Sequence, residues 1–286
     1  LTGHLVLLAP GRLGRPRSGA RRREPATPRE LDPECPFCPG RENMTPPEVD
    51  ALREEGPDPN GDRARGGPDR PGWRLRCVPN KYPAIASGLL SEGGDAFFRS
   101  LAGGGYHEVL VDSPDHLKGL ADLPEAHAGE VLRMVQRRAR AFFRGPAARA
   151  LAIFKNHGPQ AGASMPHSHF QLLALPAVPP SIAQRRANEA AHFRQCGEPL
   201  LTLLAREELA RGARVIEGGE RGALVFCPYA SRFPYQALIL PGGAEGPAQA
   251  SFLEAAPEAL GAAGAALARQ LRRLKALLGD PPLNAF

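Results

Sequence analysis

The chain has 286 residues, a hydrophobic share of 42%, a charged share of 23% and a formal net charge of +6. That length carries one large or two half-sized hydrophobic cores, and the composition excludes a disordered charged tail. No stretch approaches the roughly 18–20 apolar residues of a bilayer-spanning helix, which argues against an integral membrane protein.

In chain order, residues 1–9 read as a short strand, and an arginine-rich loop follows from Arg12 to Arg29. The opening residue is Leu1, not Met, as expected if part of the native N-terminus is missing. The apolar run Leu5-Val6-Leu7-Leu8 is too short for a signal-peptide core. Residues 30–72 are rich in Pro, Gly and charge and read as loop around one compact knot, Cys35-Pro36-Phe37-Cys38. Strands are predicted over 75–78, 108–111, 151–154 and 169–175, and a helix from an Asp122/Glu125 capping box to about Phe143. An amphipathic linker helix is predicted from about Asn188 to Arg211.

The second half repeats the order. Strands are predicted over 223–227 and 236–240, then a helix from a Ser251/Glu254 capping box to about Leu278. A further strand begins at Leu283. The expected fold class is therefore α+β, a duplicated unit of antiparallel sheet and packed helix, divided at 1–182 and 183–286, with the second copy lacking its last strand. Five cysteines, only Cys35 and Cys38 close together, do not form a secreted disulfide framework, so a reducing cytoplasm is expected.

Two constellations carry chemistry. The thiols of Cys35 and Cys38 can share one zinc ion, with two further ligands, histidine first among the candidates, from elsewhere. A redox pair or coincidence are the other readings of the pair. The second is Pro166-His167-Ser168-His169-Phe170-Gln171, preceded by the Gly/Ala/Ser loop 158–164. Residues two apart on a strand share a face, so His167, His169 and Gln171 line one side. Backbone N–H groups of such a loop can cradle a phosphate, and an imidazole with one nitrogen held by a hydrogen bond attacks phosphorus through the other.

These motifs, with Ala9-Pro10-Gly11-Arg12-Leu13-Gly14-Arg15-Pro16, Val78-Pro79-Asn80-Lys81, Ser113-Pro114-Asp115-His116 and Phe154-Lys155-Asn156-His157-Gly158, resemble the galactose-1-phosphate uridylyltransferase branch of the histidine-triad superfamily. The resemblance covers nearly all of 1–180 and continues more weakly to the final helix. It implies that His169 is the nucleophile and that Gln171, where hydrolases of the superfamily carry a third histidine, holds the phosphoryl oxygens. It implies one structural zinc on Cys35, Cys38, His116 and His167, with His107 the rival to His116. Arg12, Arg15, Asn80, Asn156 and Ser164 match positions that contact the nucleotide and its phosphates.

The implied reaction is ping-pong transfer of a uridylyl group from UDP-glucose to galactose 1-phosphate, in a cytoplasmic homodimer. The sequence also resembles plant ADP-glucose phosphorylases, so phosphorolysis of ADP-glucose or of a dinucleoside polyphosphate is the alternative. A second metal is not expected: no glutamate occurs between the active strand and Glu189, and no histidine after His192. A zinc-containing nucleic-acid-binding module is the reading from another class. Scattered aromatics, only 6% of residues, speak against it, and neither nucleic acid nor membrane is an expected partner.

Overall fold

A computed structural model describes residues 6–14, 31–53, 67–86, 88, 91–95, 97–102, 104–243 and 251–286. The strands are β1 (Asp50–Arg53), β2 (Trp73–Pro79), β3 (Ser91–Gly94), β4 (Arg99–Ala102), β5 (Tyr106–Val111), β6 (Ala150–His157), β7 (His169–Leu175), β8 (Val215–Gly218), β9 (Ala223–Phe226), β10 (Leu238–Pro241) and β11 (Leu283–Ala285). The helices are α1 (Glu125–Phe143), α2 (Pro180–Cys196), α3 (Leu200–Arg211) and α4 (Pro257–Leu278). The class is α+β with antiparallel sheets, as expected. None of the described helices is long and apolar enough to cross a membrane.

The chain divides into two compact units. One holds the described residues up to 122, then 137–178 and 274 onward. Its six-stranded sheet runs β1-β2-β5-β7-β6-β11, and β3 and β4 form a separate hairpin. The central strands β2, β5 and β7 are buried along almost their whole length, polar residues included. Trp73, Val78, Val109 and Val111 make a core cluster on which Phe37 packs. The knot segment is tied to this sheet by polar anchors. The Trp73 indole donates to Glu42 (2.8 Å), and the buried Arg76 reaches Glu48 (3.2 Å), Thr45 (2.9 Å) and Asp69 (2.7 Å).

The other unit holds 123–136 and 179–273. Its sheet β10-β9-β8 has a helix on each face, set by the period-two alternation of β9. Leu224 and Phe226 pack with Ala205 of α3, while Ala223 and Val225 pack with Ala266 of α4. The start of α1 meets α4 through small residues. A Cβ on Gly264 would lie 2.5 Å from the Ala128 carbonyl carbon and the Gly129 nitrogen, and one on Gly129 would lie 3.0 Å from Gly261 Cα. Alanine gains about 1 kcal/mol over glycine in a helix interior, but a clash against backbone costs about 1–3 kcal/mol or more. Gly264→Ala is therefore expected to lower stability in urea unfolding. An unchanged or raised midpoint would mean that the two helices separate without cost.

Several expectations are corrected. Residues 1–5 lie outside the described set, and Val6–Ala9 carry no strand. The linker is two helices, because Gly197 takes a left-handed conformation (φ 72°) and caps α2 through Phe193, and Pro199 precedes α3. Pro124 delays α1 to Glu125, and Asp122 accepts instead from the Gly119 N–H (3.2 Å). Ser251 caps a short 3-10 turn, Phe252–Glu254, ahead of α4. The order strand, strand, helix, strand does recur, as β2-β5-α1-β6 and β9-β10-α4-β11. The last of these, however, joins the six-stranded sheet: Leu283, Asn284 and Ala285 pair with His157, Asn156 and Lys155 of β6.

Candidate active site and metal centre

Residues 35–38 form a tight turn closed by the Cys38 N–H on the Cys35 carbonyl (3.2 Å). On the far side of the cluster, Ser113 and Asp115 fold a local turn: the Asp115 N–H donates to Ser113 Oγ (3.1 Å) and the Leu117 N–H to Asp115 Oδ1 (2.9 Å). This turn carries His116, and His167 arrives just before β7. The ligand atoms of Cys35, Cys38, His116 and His167 all lie within 4.8 Å of one another.

The donor set fits zinc. Zinc–sulfur bonds of ~2.3 Å and zinc–nitrogen bonds of ~2.0–2.1 Å in a tetrahedron separate sulfur from nitrogen by about 3.5 Å. Here Cys35 Sγ is 3.5 Å and Cys38 Sγ 3.6 Å from His167 Nδ1, and Cys38 Sγ is 3.3 Å from His116 Nδ1. His167 Nε2 lies 2.8 Å from the Ser113 carbonyl, so it donates there and Nδ1 keeps the lone pair a metal needs. Burial pushes the Cys35 thiol up to about 12, and a cation would offset that penalty. The Asp32 N–H on Cys38 Sγ (3.3 Å) gives the sulfur a further donor. His107, the rival ligand, lies outside this cluster and contacts Gln171 instead.

His169 is buried in β7, and Phe37 of the knot packs on its ring at 5.3 Å between centroids. Its Nδ1 lies 2.8 Å from the carbonyl of His167. A carbonyl only accepts, so Nδ1 carries the proton and Nε2 the lone pair. Burial lowers the pKa of His169 to about 4, against the carbonyl contact that raises it, so the ring is neutral at physiological pH. Gln171 shares the face, and its Oε1 lies 3.0 Å from His107 Nε2.

The opposite face holds a buried ion pair. Lys155 Nζ donates to Asp112 Oδ2 (2.7 Å) and to Ser168 Oγ (2.6 Å), which fixes the residue between the two histidines from behind. Lys155→Met is expected to cost about 3–5 kcal/mol, because the Asp112 carboxylate, 0% exposed, loses its ammonium. Adding Asp112→Leu should recover most of that loss in urea unfolding. A single-variant loss under about 1 kcal/mol would contradict the assignment.

His169 and Gln171 share a face of β7, and hydrogen bonds link Gln171 through His107 to Asn80. Asn156 sits in β6, its Oδ1 accepting from Asn284 of β11 (2.9 Å). Arg12 lies half-buried in a 3-10 turn. Arg15 lies outside the described residues. The loop expected to cradle phosphate is partly closed on itself. The N–H groups of Ala161, Gly162 and Ala163 are spent on Gly158 and Pro159 carbonyls (3.2, 3.0 and 3.1 Å). Gly158 and Gly162, at φ 80° and 85°, make that closure possible. Sequence reasoning assigned no role to Lys155 or Asn284; a lysine inside an apolar strand was the available signal for the first, and nothing local marked the second.

A profile described as "Galactose-1-phosphate uridyl transferase, N-terminal domain" matches residues 80–179. The ADP-glucose phosphorylase of Arabidopsis thaliana is 30% identical over 244 residues, 84% of this chain and 64% of that protein. The galactose-1-phosphate uridylyltransferase of Haemophilus influenzae is 27% identical over 241 residues, 82% of this chain and 62% of that protein. The chain thus spans less than two thirds of the length of these curated relatives. A solved ADP-glucose phosphorylase from A. thaliana with bound ADP-glucose superimposes with a TM-score of 0.69 at 28% identity, covering 90% of this chain and 74% of that one.

Proposed function

We propose that this chain belongs to the galactose-1-phosphate uridylyltransferase family, whose profile its residues 80–179 match, and transfers a nucleotidyl group from a nucleotide sugar to a second phosphate through a covalent intermediate on His169. The observation that carries the reading is the 2.8 Å contact between His169 Nδ1 and the His167 carbonyl, which leaves Nε2 as the nucleophile. In the first half-reaction Nε2 attacks the α-phosphorus. The bond from that phosphorus to the bridging oxygen breaks, and the sugar 1-phosphate leaves with its electron pair. The ring then carries positive charge, and its Nδ1–H stays on the carbonyl. In the second half-reaction an acceptor phosphate oxygen attacks the same phosphorus and Nε2 departs. Phosphate groups leave and enter without a proton from the protein, which suits an amide at position 171. Arg12, Arg15, Asn80, Asn156 and Ser164 are assigned to the nucleotide and its phosphates by their match to the family pattern.

Zinc on Cys35, Cys38, His116 and His167 would be structural: a closed set of four protein ligands leaves no position for substrate. When bound it would supply a rigid support for His167, whose carbonyl orients the nucleophile.

UDP-glucose with galactose 1-phosphate is the substrate pair implied by the uridylyltransferase relatives. Phosphorolysis of ADP-glucose is the second reading, favoured by the 30% identity to the plant phosphorylase. Either reading requires protein-bound nucleotide. Incubation with UDP-glucose or ADP-glucose labelled in the α-phosphate, followed by denaturation, should leave acid-labile label on the protein, and inorganic phosphate or a hexose 1-phosphate should remove it before denaturation. A well-folded, metal-replete protein that retains no label from either sugar nucleotide would sink the proposal.

A further inference from the structure

We infer that His107 is a positioning residue: it turns the oxygen of the Gln171 amide backward, so that the amide nitrogen is presented to the transferred phosphoryl group. This rests on the role proposed above for Gln171. The orientation follows from hydrogen bonds that allow one solution. The Ala84 N–H donates to His107 Nδ1 (2.9 Å), and a backbone N–H can only donate, so Nδ1 holds a lone pair. In the neutral ring the proton is then on Nε2. Two amide atoms stand beside Nε2: Asn80 Nδ2 at 3.1 Å and Gln171 Oε1 at 3.0 Å. Asn80 is already oriented, because its Oδ1 accepts from the Tyr82 N–H (2.9 Å). Its nitrogen end offers no lone pair to the ring. The Nε2 proton therefore goes to Gln171 Oε1.

The strand register makes this contact possible. Val109 pairs with Gln171 and Val111 with His169, so His107 lies two residues further along the same face of β5. The ring is 5% exposed, and the His107 carbonyl accepts the Asn80 N–H (2.8 Å), which ties it to the loop after β2. A primary amide has one accepting end and one donating end. With the accepting end held by His107, the donating end is left for anionic oxygen. A reversed amide would set its oxygen against a phosphoryl oxygen, turning a charge-assisted hydrogen bond into a repulsion.

The test compares His107→Phe, Gln171→Leu and the double variant in single-turnover loading of labelled nucleotide. Thermal stability and bound metal are checked on each. His107→Phe should slow loading roughly tenfold to a hundredfold, less than the about 10²–10³ for outright deletion of one transition-state donor because the amide is still present, with little change in nucleotide-sugar affinity. The double variant should load no more slowly than Gln171→Leu alone, because the amide that His107 orients is already gone. Full multiplication of the two losses would overturn the inference. So would a His107→Phe loss that appears only as weakened affinity. Nitrogen-15 NMR of histidine-labelled wild type decides the geometry even if the phenylalanine variant fails to fold. His107 should carry its proton on Nε2, and an Nδ1–H tautomer would overturn the inference. A wild type that takes up no nucleotide defeats the functional reading by itself, and the tautomer alone then decides the hydrogen-bond assignment.

Discussion

A His169→Gly variant is expected to lose the proposed nucleotidyl transfer by at least about a thousandfold while remaining folded, because on that proposal it deletes the attacking atom. Covalent label from a nucleotide sugar should vanish with it. The size of the loss follows from the chemistry. On the proposed mechanism Gln171 and the other proposed binding residues would still hold the nucleotide sugar, but binding without a nucleophile does not divide the displacement into two steps. The loss should fall on the rate and hardly on nucleotide-sugar affinity. The ring is buried against Phe37, so its removal also leaves a small cavity, at an expected cost of about 1–3 kcal/mol. Stability should therefore be measured beside activity. A glycine variant that keeps label on the protein would place the nucleophile elsewhere.

Removal of the metal is expected to have the second largest effect, and to act on both stability and activity. Elemental analysis should find about one zinc per chain, lost in Cys35→Ser and Cys38→Ser. Cys35, Cys38 and His167 are buried, and His116 is partly so. Groups of this kind left without their common partner cost about 1–3 kcal/mol each, so the sum is several kcal/mol. At roughly 2–4 °C per kcal/mol for a domain of this size, the melting temperature should fall by about 10–20 °C on chelation and return with added zinc. Activity should fall with it, because the carbonyl contacting His169 belongs to His167, one of the four residues that could hold the metal. A metal-free protein with unchanged melting temperature and activity would mean that the four side chains hold no structural zinc.

The parts legible in the sequence were those with strong local signals. β5, β6, β7 and β9 stand out through apolar runs near Pro, Gly or Ser, and β2 through Leu75, Cys77 and Val78 before Pro79. The Cys-x-x-Cys turn and the His-x-His strand announce their chemistry through residue type and spacing. β1, β3 and β8 left no such mark. Asp50-Ala51-Leu52-Arg53 pairs on one side only, Ser91-Glu92-Gly93-Gly94 is wholly exposed, and Val215-Ile216-Glu217-Gly218 is interrupted by a bulge. Residue 283 was recognised as the start of a strand, but its partner was not, since a three-residue strand does not encode which edge it joins. The choice between His107 and His116 was likewise closed to sequence. One lies in β5 and the other just after it, and only the turn at Ser113–Asp115 directs one of them to the thiols.

The main-chain carbonyl of His167 has an evolutionary consequence. Side-chain contacts can be undone by one codon change, whereas a peptide oxygen persists through every substitution that leaves the local trace intact. The tautomer of His169 is therefore set by the main chain, so side-chain substitutions around it that keep this trace would leave the proposed reactive nitrogen unprotonated.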